Sequence, residues 1–201
     1  MTRALRFSHS ELSNLLKYTF QGLYGHICDW GALADHVLWL ETRGFNGVSL
    51  LNTAIEHKAL RSSPSLVEDE VWGYRIDLQG GSVLTALPAI SDLAMDFTLR
   101  NGTCRIDIVS GQQIAALASA QAELMRAGLS VECILSSPQL LCRADIKSAR
   151  YRDKFGEAEA AYRKSLDDGI SIDPVIYARL TEISERTLVE ASEASRRGAG
   201  D

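Results

Sequence analysis

No window of this 201-residue chain approaches 18 consecutive apolar residues, so no transmembrane helix and no membrane partner are expected. The opening stretch, MTRALRFSHSEL, lacks the continuous apolar core of a signal peptide. Basic charge is scarce. The 21 Lys and Arg stand against 26 Asp and Glu, a formal net charge of −5, and no dense Lys/Arg stripe breaks that balance. Phosphate contacts dominate affinity for duplex nucleic acid, so nucleic acid is not an expected partner. The four cysteines are Cys28, Cys104, Cys133 and Cys142; none forms a C-x-x-C pair, and their wide spacing is not that of a disulfide framework. These absences point to a cytoplasmic protein with reduced, mostly buried thiols. GLYG (22–25) and GFNG (44–47) are neither G-x-G-x-x-G nor a Walker loop, so no cofactor is expected. No internal repeat and no low-complexity tract interrupts the chain.

What is present is ordinary globular material, 46% apolar and 23% charged. At this length roughly 70% of the unfolded surface can be buried, so neither metal nor disulfide is needed for stability. Ser8 and Glu11 have capping-box spacing, and Leu12, Leu15, Leu16, Thr19 and Leu23 follow at helical intervals, with Gly22 and Gly25 closing that helix. Asp29 caps a second helix carrying Leu33, Val37 and Leu40, and Arg43-Gly44 stops it. A third runs from about Gly47 to Leu60, and Trp30 and Trp39 read as core anchors of this helical part. RSSPSLVEDE (61–70) reads as an exposed connection. Strands follow at 71–78, 103–110 and 130–137, with a further one in LCRADIKSAR, a turn at Gly80-Gly81, and helices at TALPAISDLAMDF and GQQIAALASAQAELMRAGL. Strand, helix, strand over 103–137 resembles one crossover unit. A charged, solvated helix covers 150–166, and a last one starts at Asp173-Pro174 with Ile176, Leu180, Ile183 and Thr187 on one face. The expected class is α+β: a helical cluster (1–62) packed on a small mixed sheet with flanking helices (70–201).

The last helix runs into RTLVEASEASRRGAG (186–200). This ending resembles that of an uncharacterised bacterial family classed as a domain of unknown function. Trp30, Gly31, Ala34, Trp39, Leu40, Gly44 and Gly47 fall on the same family's N-terminal pattern. Leu188 stands where the family has an aromatic, and Glu190 where it often has proline. The resemblance brings no activity with it. ADHVLWLETRGFNGVSLL (34–51) also looks like the N-terminal helices of the malate and lactate dehydrogenase-like reductases that are not Rossmann proteins. Those carry Asp-Ser-His-Gly after the Arg-Gly. Here Phe45-Asn46-Gly47 follows Arg43-Gly44, so the catalytic-type histidine is missing, and the chain is too short for that fold and its cofactor.

Candidate binding residues therefore concentrate in the C-terminal motif: Thr187, Ser192, Glu193, Ser195 and Arg196. Leu188 and Val189 would be wasted at a solvated end, which argues for docking of the segment on the body. Arg196 is the best placed to grip a carboxylate in bidentate fashion. Ser192 and Ser195 have no histidine nearby in sequence to activate them. His26, Cys28, Asp29 and His36 lack regular ligand spacing, so no metal is expected. His9 looks solvated, and His57 sits at a helix end where the dipole favours a cation. Two functions fit. One is a noncatalytic binding or assembly protein linked to small-molecule metabolism, a homo-oligomer or one with a protein partner. The alternative is a small-molecule metabolic enzyme that uses the motif's carboxylate and hydroxyl groups in a cleft between the helical and mixed parts.

Overall fold

The Ser8 capping box forms as its spacing predicts: the Ser8 hydroxyl accepts the Glu11 amide at 3.3 Å, and Glu11 Oε2 accepts the Ser8 amide at 2.8 Å. In the computed structural model, which describes residues 5–25, 29–61, 64–69, 71–144 and 151–187, this box opens α1 (His9–Tyr24). A strand missed in the sequence precedes it, β1 (Leu5–Phe7), too short for any periodicity to show. Asp29 caps α2 (Trp30–Thr42) by accepting the Ala32 amide at 2.9 Å. The third helix, α3 (Gly47–Glu56), ends four residues before Leu60, in a turn at His57 and Lys58 followed by a single 3₁₀ turn.

The exposed connection expected at 61–70 contains a strand instead. β2 (Ser65–Asp69) pairs antiparallel with β3 (Gly73–Asp77). Leu66 and Val67 are both exposed, so β2 carries no alternation for a sequence reading to detect. α4 (Leu87–Asn101), with Pro88 in its first turn, crosses to β4 (Thr103–Val109), which lies parallel to β3. α5 (Leu117–Arg126) leads to β5 (Ser130–Ile134), and β6 (Gln139–Arg143) then returns between β4 and β5. The sheet order is β2-β3-β4-β6-β5, parallel only at β3–β4. The crossover unit of adjacent parallel strands is therefore β3-α4-β4. The strands expected to form one, β4 and β5, are separated by β6.

α6 (Tyr151–Asp168) bends at Phe155, and β7 (Ile170–Ile172) returns the chain to pair antiparallel with β1. Asp173 accepts the Val175 amide at 2.7 Å and starts α7 (Pro174–Glu185), which packs along α1. One continuous hydrophobic cluster runs from Leu12, Phe20 and Leu51 through Val37 and Leu40 to Leu117, Ile106 and Leu140. The architecture is thus α+β, a helical cluster against a five-stranded mixed sheet. α2 joins the two, packing on α1 and α3 on one side and on α4, α5 and α6 on the other. Among the described residues no helix is long and apolar enough to cross a membrane.

Cys104 and Cys142 face each other across β4 and β6, and both are buried. Burial pushes the Cys104 thiol up to about 11; burial, with Cys104 beside it, pushes Cys142 up to about 12. The thiolate is the nucleophile, so at pH 8 neither should react with a disulfide reagent on a timescale of minutes until the protein unfolds. Rapid labelling of either in native buffer, located by peptide mapping, would contradict this placement.

Candidate functional site

The end of α2 carries a buried cation. Arg43 caps that helix, is only 9% exposed, and lies with its guanidinium 4.2 Å from the Tyr162 ring centroid and 5.0 Å from that of Trp39. Its Nε donates to Glu159 Oε1 at 3.0 Å and its Nη1 to Thr42 Oγ1 at 3.2 Å. The same Glu159 oxygen accepts Arg126 Nη2 at 3.2 Å and the Tyr151 hydroxyl at 2.6 Å. Burial alone would push the Glu159 carboxyl up. The hydrogen bonds from Tyr151 and Arg43 and the charges of Arg43 and Arg126 outweigh burial and hold it below the ordinary carboxylate value. Tyr151 is pushed up by burial first and then by its bond to Glu159. Trp39 stacks on Phe45 and meets Phe155 edge-on, each at 5.5 Å, which fixes the platform under Arg43.

Replacing Glu159 by glutamine leaves the shape but strands Arg43 without a counter-charge. A buried pair stripped of one partner costs about 3–5 kcal/mol, and Glu159 keeps a 27% exposed side chain, so a loss of about 1–3 kcal/mol is expected at pH 7. Because the folded carboxyl is held low, this stabilisation is complete above the ordinary carboxylate range. It is lost as pH falls through the lowered value. Urea melts of both proteins should diverge at pH 7 and converge once the pH lies below that lowered value.

Beside Arg43 opens a cavity of about 400 Å³ at the junction of the helical cluster and the mixed part. Phe45 and Phe155 supply apolar wall, and Lys154 and Glu157 bring charge from α6. Gln121, fixed by donating to the Val131 carbonyl at 2.9 Å, and Cys133 complete the side toward the sheet. A guanidinium keeps its charge in proteins, so this wall suits a small organic molecule with an apolar body and an anionic end. On the far side of the Arg43–Gly44 turn lies a second cavity of about 380 Å³ with Glu41 in its wall. Burial pushes the Glu41 carboxyl up, opposed by the Val48 amide that it accepts at 2.8 Å. That bond has a structural reason: Asn46, the residue before α3, is left-handed and makes no side-chain cap, so Glu41 satisfies the helix start.

Of the residues picked from the C-terminal motif, Thr187 follows α7 and donates to the Ser184 carbonyl at 2.7 Å; it does not line the Arg43 cavity. Ser192, Glu193, Ser195 and Arg196 lie outside the described residues. So do His26 and Cys28, while Asp29 serves as a helix cap. No group of three or more metal-ligating side chains gathers among the described residues. His9 is not simply solvated: its Nε2 lies 2.9 Å from Ser165 Oγ and its ring meets Tyr162 edge-on. His36 is buried and engages Ser119 and Glu123. Sequence reasoning took Arg43 as a helix-stop cation and the α6 charges as solvated. Their pairing spans 116 positions and leaves no local signal.

These features define an α+β protein with a ligand-sized cleft where its helical cluster meets its mixed sheet. No protein family and no curated protein matches the sequence. Solved structures do match in fold. A dehydrogenase from Sinorhizobium meliloti aligns over 90% of this chain and 99% of its own, with a TM-score of 0.66 at 10% identity. Malate dehydrogenase from Pyrococcus horikoshii OT3 aligns over 93% and 97%, with a TM-score of 0.64 at 11% identity. Delta1-piperideine-2-carboxylate reductase from Pseudomonas syringae pvar. tomato aligns over 89% and 99%, with a TM-score of 0.61 at 13% identity. At such identities the likeness is one of fold alone. It overturns the expectation that this chain is too short for a dehydrogenase-like fold, since nearly the whole of those chains is covered. Phe45-Asn46-Gly47 still carries no histidine after Arg43-Gly44.

Proposed function

We propose that this chain is an enzyme of small-molecule metabolism whose substrate, a small organic anion with an apolar body, occupies the Arg43 cavity. The observation that carries the reading is a cation more than nine-tenths buried, clamped between two aromatic rings at the wall of a cavity of about 400 Å³. The fold neighbours, a malate dehydrogenase and a piperideine-carboxylate reductase, support a metabolic setting. The noncatalytic binding reading draws no support from them, and the enzyme reading does. A cavity between the helical cluster and the mixed part further supports the enzyme reading.

A panel of carboxylates with graded apolar bodies, screened by thermal shift, tests this. A ligand at 100 times its dissociation constant stabilises by about 2.7 kcal/mol, well within reach of the method. Lys154→Glu on the cavity wall should weaken any hit without lowering the ligand-free melting point. If no organic acid shifts the wild type, or Lys154→Glu leaves the shift intact, the cavity is not an anion site. A role for Thr187, Ser192, Glu193, Ser195 and Arg196 in binding a ligand or a second subunit belongs to the same proposal. Deletion of residues 190–201 should then reduce ligand affinity or dissociate an oligomer in sedimentation. A truncated protein that binds and sediments as the full chain does removes the motif from the site.

A further inference from the structure

A third cavity, of about 220 Å³, opens where α2 and α5 face each other. Ala32, Asp35, His36 and Trp39 recur at helical spacing on α2; Ser119, Glu123 and Arg126 do so on α5. Two such faces in contact bring together side chains more than eighty positions apart. Ser119 Oγ lies 3.1 Å from His36 Nδ1. On the other side of the imidazole, Nε2 lies 3.6 Å from Glu123 Oε2. That same carboxylate oxygen accepts the Ser91 hydroxyl at 2.6 Å, which holds it in place. The Trp39 indole Nε1–H is buried without a partner, although Trp39 is part of this cavity's wall.

We propose that this cavity is an acyl-transfer site, with Ser119 as nucleophile, His36 as its base and Glu123 as the carboxylate that orients the base, and that it accepts short-chain acyl esters. The cavity is distinct from the Arg43 cavity, although Trp39 and Arg126 belong to both neighbourhoods. The tautomer follows from charge. Glu123 favours the proton on Nε2, which leaves the Nδ1 lone pair facing the Ser119 hydroxyl. Ser119 has one proton and two acceptors in reach, His36 Nδ1 and the Ala116 carbonyl at 2.9 Å. With His36 neutral the proton can go to Nδ1, which activates the oxygen. With His36 charged, Nδ1–H donates to Ser119 instead, and the hydroxyl turns to Ala116.

The steps balance without a cofactor. Ser119 Oγ forms a bond to the ester carbonyl carbon as its proton passes to His36 Nδ1, and the imidazolium is stabilised by Glu123. The carbonyl oxygen gains the electron pair, and Arg126, half-exposed in the wall, supplies the positive charge that stabilises it. The carbon–oxygen bond to the alcohol then breaks, and the leaving oxygen takes the proton from Nδ1. A water, deprotonated in turn by His36, hydrolyses the acyl-serine and releases the acid. A volume of about 220 Å³ limits the acyl group to a few carbons. The charged groups around His36 are Asp35 on its own helix, Asp92 on α4, and Glu123 and Arg126 on α5. Burial lowers the His36 pKa more than Glu123, Asp35 and Asp92 raise it, so the ring is neutral and able to act as a base at pH 7.

The test uses the full-length protein, a small alkyl fluorophosphonate and p-nitrophenyl acetate. Expected is one covalent label, mapped to Ser119, with labelling lost in Ser119→Ala and slowed about a thousandfold in His36→Gln. Glu123→Gln should slow it about a hundredfold or more and distort the pH profile, which in the wild type rises through a value below 6.5 and then stays flat. Absence of the label, a label on another residue, or a rate unchanged in a folded His36→Gln protein overturns the proposal. If Ser119→Ala does not fold, peptide mapping of the wild type decides alone.

Discussion

Trp39→Ala is expected to lower the unfolding free energy by about 3–5 kcal/mol, the range for loss of a large aromatic from a packed core. Trp39 is 8% exposed and touches two other rings and the Arg43 guanidinium. Removing it leaves a void where α2, the turn before α3 and the bend of α6 meet. It also takes away half of the aromatic clamp that holds a nearly buried cation. One term works in the opposite direction: the buried, unpartnered Nε1–H disappears, which returns about 1–3 kcal/mol. A result near the low end would thus report on that donor, and urea melts of Trp39→Phe separate the two effects. Trp39→Phe keeps most of the ring and loses the N–H. A Trp39→Ala protein within about 1 kcal/mol of wild type would mean that the ring is not in the core.

Gly22→Ala should cost about 3 kcal/mol or more, against the usual expectation for a helical glycine. Alanine in a helix interior gains about 1 kcal/mol in propensity. Here a Cβ would stand 2.1 Å from the Ile183 carbonyl oxygen and 3.0 Å from its carbon, both backbone atoms of α7. No rotamer relieves that contact, so α1 and α7 must separate, and overpacking dominates propensity. Separation would also break the bond from Thr19 Oγ1 to the Leu180 carbonyl at 3.2 Å, which is buried between the same helices. The sequence spacing of Gly22 and Gly25 predicts that both close the helix. Only Gly25 does, with φ +63 and its amide bonded to Gln21 O at 2.7 Å, whereas Gly22 lies within α1 as a packing residue. Gly25→Ala meets nothing within 4 Å and should cost about 1–3 kcal/mol for its positive-φ backbone alone. Melting temperatures of the two variants should therefore fall in that order; the reverse order would place the interhelical contact elsewhere.

The helix starts were legible because capping is local chemistry. Ser8 with Glu11, Asp29 and Asp173 each act within three residues, and each does what its spacing predicts. β4 was legible by alternation, with Cys104, Ile106 and Ile108 inward. β2 was not, since a strand exposed at Leu66 and Val67 writes no period. β1 and β7 are three residues each and exist only because they find one another 165 positions apart. The Arg43 cavity was hidden for a related reason. Its cation, its counter-charge and its aromatic clamp sit on helices α2 and α6, and a buried charge reads in sequence like an exposed one until its partner is known.

The pairing of β1 with β7, and of α1 with α7, also sets when the protein can finish folding on the ribosome. Leu5 waits for Ile172, and the α1 face around Thr19 and Gly22 waits for Leu180 and Ile183. α1 is made well before α7, so even after α2 has packed on it, the side of α1 that meets Leu180 and Ile183 stays uncovered until residues 170–185 have been synthesised.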